Sequence, residues 1–139
     1  MTGNDFMAWL LRSPFHGMLS NGMMLITITG RKTGRKFTTP VGYYREGEYL
    51  WVITNHDRTW WKNLQGGASV ELLLKRKRVI ARAEPELDEQ TVETRMSEYL
   101  HQVPLAARPM GIRMEKGKPN TDDLAQTAKD RLFVRIQLN

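Results

Sequence analysis

The 139-residue sequence contains no cysteine. Without a thiol, the chain cannot form disulfides, use a thiolate nucleophile or build cysteine-based zinc and iron–sulfur sites. Its three histidines (His16, His56 and His101) lie far apart and lack the spacing of a metal site, so no metal is expected. No run approaches the ~18–20 apolar residues that a membrane span needs, and the first residues lack the features of a secretory signal. We expect a single cytoplasmic domain covering residues 1–139.

The sequence also lacks the motifs of the common hydrolases and of phosphate-binding P-loops. It has no nucleophile elbow and no paired-carboxylate arrangement, and the spacing GxxxxGK[ST] is absent. The acids of residues 84–98 have the pattern of a solvated helix face. If the protein is an enzyme, a bound cofactor is therefore expected to carry the chemistry.

Basic residues are unevenly distributed along the chain. The net charge is +6, yet residues 22–82 carry twelve Lys or Arg against four Asp or Glu, and residues 83–139 carry eight against ten. A basic half joined to an acidic half suggests an anionic partner for the basic half. Nucleic acid, anionic lipid and a phosphorylated cofactor all qualify, and composition does not choose among them.

Apolar and β-branched residues predict six strands, most of them joined by tight turns that favour antiparallel pairing. Such a sheet closes most readily into a small barrel, which gives a mainly β fold with helices (α+β). The predicted strands are 23–29, 37–44, 49–54, 69–75, 78–85 and 130–138. Helices are predicted over 5–12, 58–65, 86–103 with Asp88 as cap, and Thr121–Ala128 with Thr121 as cap, whereas prolines and glycines predict a loop over 104–120.

The chain is accordingly divided into four segments of one domain. Residues 1–21 form an N-terminal helix or lid, residues 22–85 the barrel core, residues 86–129 a helical segment, and residues 130–139 the closing strand.

Residues 30–36, with the sequence GRKTGRK, place four cations and a hydroxyl in one turn. Glycines allow a ligand to approach the backbone, turn N–H groups form anion nests, and Arg or Lys add charge-assisted hydrogen bonds. The turn is a candidate anion site; the alternative is a solvated hairpin tip with incidental charge.

Three further motifs have both structural and functional interpretations. Adjacent Trp60 and Trp61 point about 100° apart on a helix, so one could face the core and the other a pocket, although both could pack in the core. The cations of residues 75–78 with Arg82 could bind nucleic acid or a long anionic tail, but the aromatic residues typical of single-strand binders are missing nearby. Pro40 predicts a strand edge or a bulge.

The motifs GRKTG, TPVGY and WWKNL, in this order and spacing, resemble the deazaflavin-dependent nitroreductase and quinone reductase family. The resemblance covers residues 23–85 well and continues loosely to the closing strand. It implies a split β-barrel related to FMN-binding oxidases, and binding of the reduced 8-hydroxy-5-deazaflavin coenzyme F420. That coenzyme carries a phosphodiester and an oligoglutamate tail, both anionic, which agrees with the basic half of the chain.

The resemblance also implies roles for individual residues. The phosphate and tail would contact the turn, the ring would lie along the second and third strands, and the WWKNL segment would complete the wall. Tyr99 is the candidate for the substrate-side tyrosine. The implied cofactor residues are Arg31, Lys32, Thr33, Arg35, Thr39, Pro40, Ile53, Thr54, Trp60 and Asn63.

The implied activity is hydride transfer from the reduced deazaflavin to a quinone, a nitro compound or an activated enone. A homodimer is expected by analogy, and the N-terminal helix could cover an apolar pocket or contact a membrane surface. Two departures from the family pattern fall near the expected cofactor: Phe37 stands where relatives often have Arg, and the 55–59 loop is short. The alternatives are an FMN- or haem-binding split barrel, a non-catalytic carrier of apolar ligands, and a nucleic-acid-binding barrel.

Overall fold

The computed structural model describes residues 22–74 and 76–138. The strands are β1 (Met23–Thr29), β2 (Lys36–Glu46), β3 (Tyr49–Asn55), β4 (Ala68–Leu74), β5 (Lys77–Glu86), β6 (Met114–Glu115), β7 (Lys118–Pro119) and β8 (Arg131–Gln137). Six of them form one closed antiparallel barrel in the order β1-β2-β3-β8-β5-β4. The predicted six-stranded barrel is confirmed. The helix predicted over residues 5–12, and with it the proposed membrane contact, lies outside the described residues.

Alternation along the strands builds the barrel interior. Met24, Ile26 and Ile28 of β1 point inward and are fully buried, and every second residue of the other strands joins them. Closure depends on β8, whose Val134 lies opposite both Val52 of β3 and Pro85 of β5. The strand most distant in sequence thus completes the core.

Pro40 lies where β2 has only one neighbour. It is paired with Leu25 of β1, whereas the pairing of β2 with β3 begins at Gly42. A residue without an N–H is tolerated there because one side of the strand makes no ladder bond. The predicted edge position is confirmed.

Two α-helices, α1 (Glu89–Gln102) and α2 (Thr121–Ala128), cover the outer face of β2, β3 and β8. Their apolar side chains form a second core with Tyr44, Trp51 and Phe133 of these strands. Asp88 caps α1 as predicted, accepting a hydrogen bond from the Thr91 N–H at 3.0 Å.

The predicted cap of α2 is wrong by one residue. Asn120, not Thr121, has the extended backbone of a cap, and its Oδ1 accepts a hydrogen bond from the Asp123 N–H at 3.0 Å. An Asn side chain reaches the free N–H groups of the first turn as readily as Thr does.

The loop predicted over 104–120 is more ordered than its prolines and glycines suggested. It holds a short 3₁₀ helix (Pro104–Ala106) and the β6-β7 hairpin. Lys116 and Gly117, at the hairpin tip, both have positive φ (53° and 77°), as a two-residue type I′ turn requires. In the described ranges, no helix combines the length and the apolar character needed to cross a membrane.

Candidate functional site

The turn that joins β1 to β2 (residues 30–36, the basic turn) closes on itself. The Gly30 N–H donates to the Arg35 carbonyl at 2.8 Å, and the Gly34 N–H donates to the Gly30 carbonyl at 2.9 Å. Gly34 has φ +71°, and a Cβ built on it would meet nothing within 4 Å. The Thr33 hydroxyl accepts from the Arg35 N–H at 3.2 Å. The turn is therefore compact, and the space beside Gly34 is open.

A 3₁₀ helix (Trp60–Leu64) covers the end of the barrel at which the basic turn lies. A helix was predicted over 58–65, and it is both shorter and more tightly wound. Trp60, Trp61 and Leu64 are all buried in the barrel core. Both indoles therefore lie in the core, and the hypothesis that one of them faces a pocket has no support in the geometry.

Two contacts fasten the basic turn to this 3₁₀ helix. The Asn63 Oδ1 accepts a hydrogen bond from the Arg31 N–H at 3.1 Å, while its Nδ2 donates to the Trp60 carbonyl at 3.2 Å. The Arg31 guanidinium donates to the Gln65 carbonyl. Motifs 32 residues apart in sequence are thereby held together, and the Arg31 side chain is engaged by the protein itself.

The remaining cations of the basic turn face solvent. Lys32, Arg35 and Lys36 are exposed, and none of them forms an ion pair with another described residue. Cations held on a compact turn without a carboxylate partner attract anions. The turn is thus suited to bind phosphate or carboxylate groups.

A groove of about 150 Å³, which we call the outer groove, begins beside the basic turn on the outer face of the barrel. Thr27, one of its lining residues, forms a hydrogen bond between its hydroxyl and that of Thr38 at 2.7 Å. Its acidic residue, Glu71, forms an ion pair with Arg78 at 3.4 Å. The lining residues are Thr27, Thr29, Lys36, Ser69, Val70, Glu71 and Ile80.

The residues expected along the cofactor ring do not share one surface. Adjacent residues of a strand point to opposite faces. Pro40 points outward, and Thr39, paired with the inward-pointing Ile26, points toward the barrel interior. Ile53 packs against the second core on the outer face, whereas Thr54 is buried on the inner side. A ring on the outer face would meet the side chains of Pro40 and Ile53 only.

Tyr99 lies on α1 and is 5% exposed. A Cβ built on Gly42 would sit only 2.7 Å from the Tyr99 hydroxyl, so the absence of a side chain at Gly42 makes room for the phenol. Burial raises the pKa of Tyr99 above its usual value. Gly42 lies six residues along β2 from Lys36, so about 20 Å of strand separates Tyr99 from the basic turn.

Five of the predicted residues meet at the basic turn and six lie elsewhere. The turn and its helix unite Arg31, Lys32, Thr33, Arg35 and Asn63; Trp60 lies in the adjoining core, and Thr39, Pro40, Ile53, Thr54 and Tyr99 lie further along the strands. Sequence reasoning missed the hydroxyls of the outer groove. Their signal is the alternation of Thr27 and Thr29, which lie two residues apart on β1 and therefore share its outward face.

Phe37 is 38% exposed at the mouth of the barrel, directly after the basic turn. It pairs with Ile28, so the side chain lies on the inward-facing side of β2 at its open end. Among the described residues, no group of three or more His, Cys, Asp or Glu could hold a metal ion.

Comparison with known proteins adds a family to this geometry. Residues 13–114 match the family model described as F420H(2)-dependent quinone reductase. No curated protein matches the chain.

Several solved structures share the fold of this chain at low sequence identity. The flavocytochrome Anf3 from Azotobacter vinelandii superposes with a TM-score of 0.57 and 11% identity over 86% of this chain and 59% of that one. A structure described as a domain-swapped dimer gives 0.57 and 17% over 95% and 94%. An F420 reductase gives 0.51 and 12% over 91% and 94%. The chain thus spans less than two thirds of the flavocytochrome. The barrel of this chain has the split-barrel fold.

Proposed function

The chain belongs to the F420H(2)-dependent quinone reductase family, and on that premise we propose that it uses the reduced deazaflavin coenzyme F420 to reduce a quinone, a nitro compound or an activated enone. The family supports an oxidoreductase that depends on this deazaflavin. The class of acceptor, by contrast, is our proposal.

One observation carries the proposal: the basic turn is fixed to the 3₁₀ helix through Arg31 and Asn63, so its other cations extend toward solvent beside a groove. The anionic parts of the coenzyme fit this donor set, since the exposed side chains of Lys32, Arg35 and Lys36 supply positive charge. Asn63 acts by holding the turn in position.

The ring of the coenzyme would lie beside the part of the outer face that the helices cover, against the exposed Pro40 and the partly buried Ile53. When bound there, the reduced coenzyme supplies a hydride to the acceptor. The contribution of the chain is to hold ring and acceptor in contact and to exclude water.

Tyr99 is proposed as the proton donor of this reaction. A tyrosine phenol is protonated at neutral pH, burial raises the pKa of Tyr99 further, and the hydroxyl lies at Gly42, which is paired with Ile53. For Tyr99→Phe we expect kcat to fall by about 100-fold, as for other removed general acids, with the coenzyme Kd unchanged. An unchanged kcat in the variant would remove Tyr99 from the mechanism.

The first experiment is a fluorescence titration of the protein with F420 and, in parallel, with FMN, each at low and high salt. We expect micromolar binding of F420 that weakens as salt screens the turn. A preference for FMN would leave the fold assignment intact and would favour the flavin-binding alternative. Binding of neither would favour a carrier, and salt-sensitive binding of any oligonucleotide would favour the nucleic-acid alternative.

A double variant tests whether the positive charge of the basic turn contributes to F420 binding. Lys32→Ala with Arg35→Ala removes two exposed cations and is expected to weaken F420 binding most at low salt. Lys116→Ala with Lys118→Ala, which removes two cations from the β6-β7 hairpin, is the control.

A homodimer remains part of this proposal, and the likeness to a structure described as a domain-swapped dimer is consistent with it. Sedimentation equilibrium at micromolar concentration measures the mass directly. A mass of 16.1 kDa at all concentrations would exclude the dimer.

A further inference from the structure

A cavity of about 430 Å³, which we call the helix cavity, lies between α1, the β6-β7 hairpin and the start of α2. α1 packs against both α2 and β7, so the three elements surround it. Small-molecule sites have volumes of this order, about 300–1,000 Å³. The buried side chain of Leu124 supplies an apolar surface inside the cavity.

α1 turns a polar side toward the helix cavity. Ser97 and His101 lie four residues apart and Glu98 lies between them, so the three share one side of the helix. The opposite side carries Tyr99 and Leu100 into the second core. The helix cavity is therefore separated from Tyr99 by the width of α1.

The wall that faces α1 is held in place by Asn120. The Asn120 N–H donates to the Arg113 carbonyl at 2.7 Å, and its Nδ2 donates to the Glu115 carboxylate at 2.8 Å. Glu115 is the cross-strand partner of Lys118, and its carboxylate is thus engaged by the cap of α2. Lys118 and Thr121 line the cavity from this fixed wall.

The polar side chains of the helix cavity are not paired with one another. Glu98, His101 and Lys118 form no ion pair with a described residue, and the hydroxyls of Ser97 and Thr121 make no hydrogen bond to one. A carboxylate on one wall and an ammonium group on another complement a ligand that carries both opposite charges, since charged partners make the strongest hydrogen bonds.

We propose that the helix cavity binds a free α-amino acid with an apolar side chain. Glu98 accepts hydrogen bonds from the ammonium group of the ligand, Lys118 and the Thr121 hydroxyl donate to its carboxylate, and its side chain lies against Leu124. A ligand held in this way joins α1 to the hairpin and to α2. The site is independent of the proposed function, because none of these residues belongs to the basic turn or to the outer groove.

The test is a nuclear magnetic resonance titration of the isotope-labelled chain with L-leucine. Two analogues each lack one charge: isocaproate lacks the ammonium group, and isoamylamine lacks the carboxylate. We expect leucine to shift the amide signals of Gly117 and Thr121 with a Kd of about 1 mM, and each analogue to bind about tenfold more weakly. The amide signal of Gly34, in the basic turn, should not move.

Two variants assign the charges. Glu98→Gln should weaken leucine binding about tenfold and leave isocaproate binding unchanged, whereas Lys118→Gln should weaken leucine binding equally and leave isoamylamine binding unchanged. The matched controls are Glu93→Gln on α1 and Lys129→Gln at the end of α2, which remove the same charges outside the cavity lining. Both controls should bind leucine like the unaltered protein.

Three results would each overturn the inference. The first is leucine leaving the Gly117 and Thr121 signals in place, the second is either analogue binding as tightly as leucine, and the third is the control variants losing as much affinity as Glu98→Gln and Lys118→Gln. None of these results depends on whether the chain binds F420, so failure of this inference and failure of the proposed function are distinguishable.

Discussion

Asn63 uses both ends of its amide to join two motifs, and this makes it the most informative single residue of the site. Asn63→Ala removes the acceptor for the Arg31 N–H and the donor to the Trp60 carbonyl. We expect the free energy of unfolding to fall by about 1–2 kcal/mol, as for other lost hydrogen bonds of partly buried groups. Chemical denaturation measures this, and the F420 Kd should rise in the same variant.

Asn63→Asp is the control for that prediction. A carboxylate oxygen still accepts from the Arg31 N–H, but no donor remains for the Trp60 carbonyl. If the alanine and aspartate variants bind F420 equally weakly, the Arg31–Asn63 contact does not position the basic turn.

Tyr44 sets an alkaline limit on stability. Burial raises its pKa to about 12, although the hydrogen bond from Arg95 opposes the shift. Above pH 10 the unfolded chain releases the phenolic proton while the folded chain retains it, so stability is full below pH 10 and falls as pH rises toward 12. The loss from this group is about 1.4 kcal/mol for each pH unit in that window.

Tyr44→Phe should flatten this part of the curve of unfolding free energy against pH. Tyr49→Phe, which removes a half-buried tyrosine from β3, is the control. Identical slopes for the unaltered protein and Tyr44→Phe between pH 10 and 12 would contradict the assignment.

At the scale of elements, the 3₁₀ helix and α1 are each anchored by buried apolar side chains, but in two different cores. Leu64 anchors the 3₁₀ helix in the barrel core, and Met96 anchors α1 on the outer face of the sheet. Leu64→Ala and Met96→Ala should each lower the unfolding free energy by about 2–5 kcal/mol, since both side chains are fully buried.

The two variants should differ in cofactor affinity. Loosening the 3₁₀ helix releases Asn63 and the basic turn, whereas loosening α1 leaves that end of the barrel intact. F420 binding is therefore expected to weaken in Leu64→Ala and to persist in Met96→Ala, at a temperature where both remain folded. Parallel losses of affinity would show that the site depends on overall stability alone.

For the molecule as a whole, closure by β8 is the decisive event. Each residue of β8 from Phe133 to Gln137 has a partner on both β3 and β5, so its removal leaves two open strand edges and an unfilled core. A chain ending at residue 129 should lose cooperative unfolding and near-ultraviolet circular dichroism. A sharp thermal transition in that truncated chain would contradict the role of β8.

The uneven charge of the sequence becomes a spatial division in the folded molecule. The acidic half supplies both helices, which cover β2, β3 and β8, and the basic half supplies the turn and the outer groove. Because the helices occupy the opposite part of the sheet, their carboxylates do not line the groove. An anion approaching the groove beside the basic turn therefore meets no carboxylate of these helices.

The sequence by itself determined the strands, most of the turns and the helix capped by Asp88. These are local properties: alternation, β-branched residues and turn glycines act within a few residues. It also determined the basic turn and, through the spacing of GRKTG, TPVGY and WWKNL, the family. The short hairpin after α1 escaped prediction because a two-residue strand has too few positions to form a pattern.

Only the tertiary structure decided which of these residues meet. Barrel closure brings the basic turn to the 3₁₀ helix, and it places the Arg82 guanidinium at the Gly66 carbonyl just after that helix. Asn63 and Arg82 lie 32 and 51 residues from Arg31 in the sequence. The pleat separates Thr39 from Pro40 and Ile53 from Thr54, which sequence alone had grouped as neighbours. Strand pairing fixes such contacts through long-range registers, and a one-residue change of register would reverse every face.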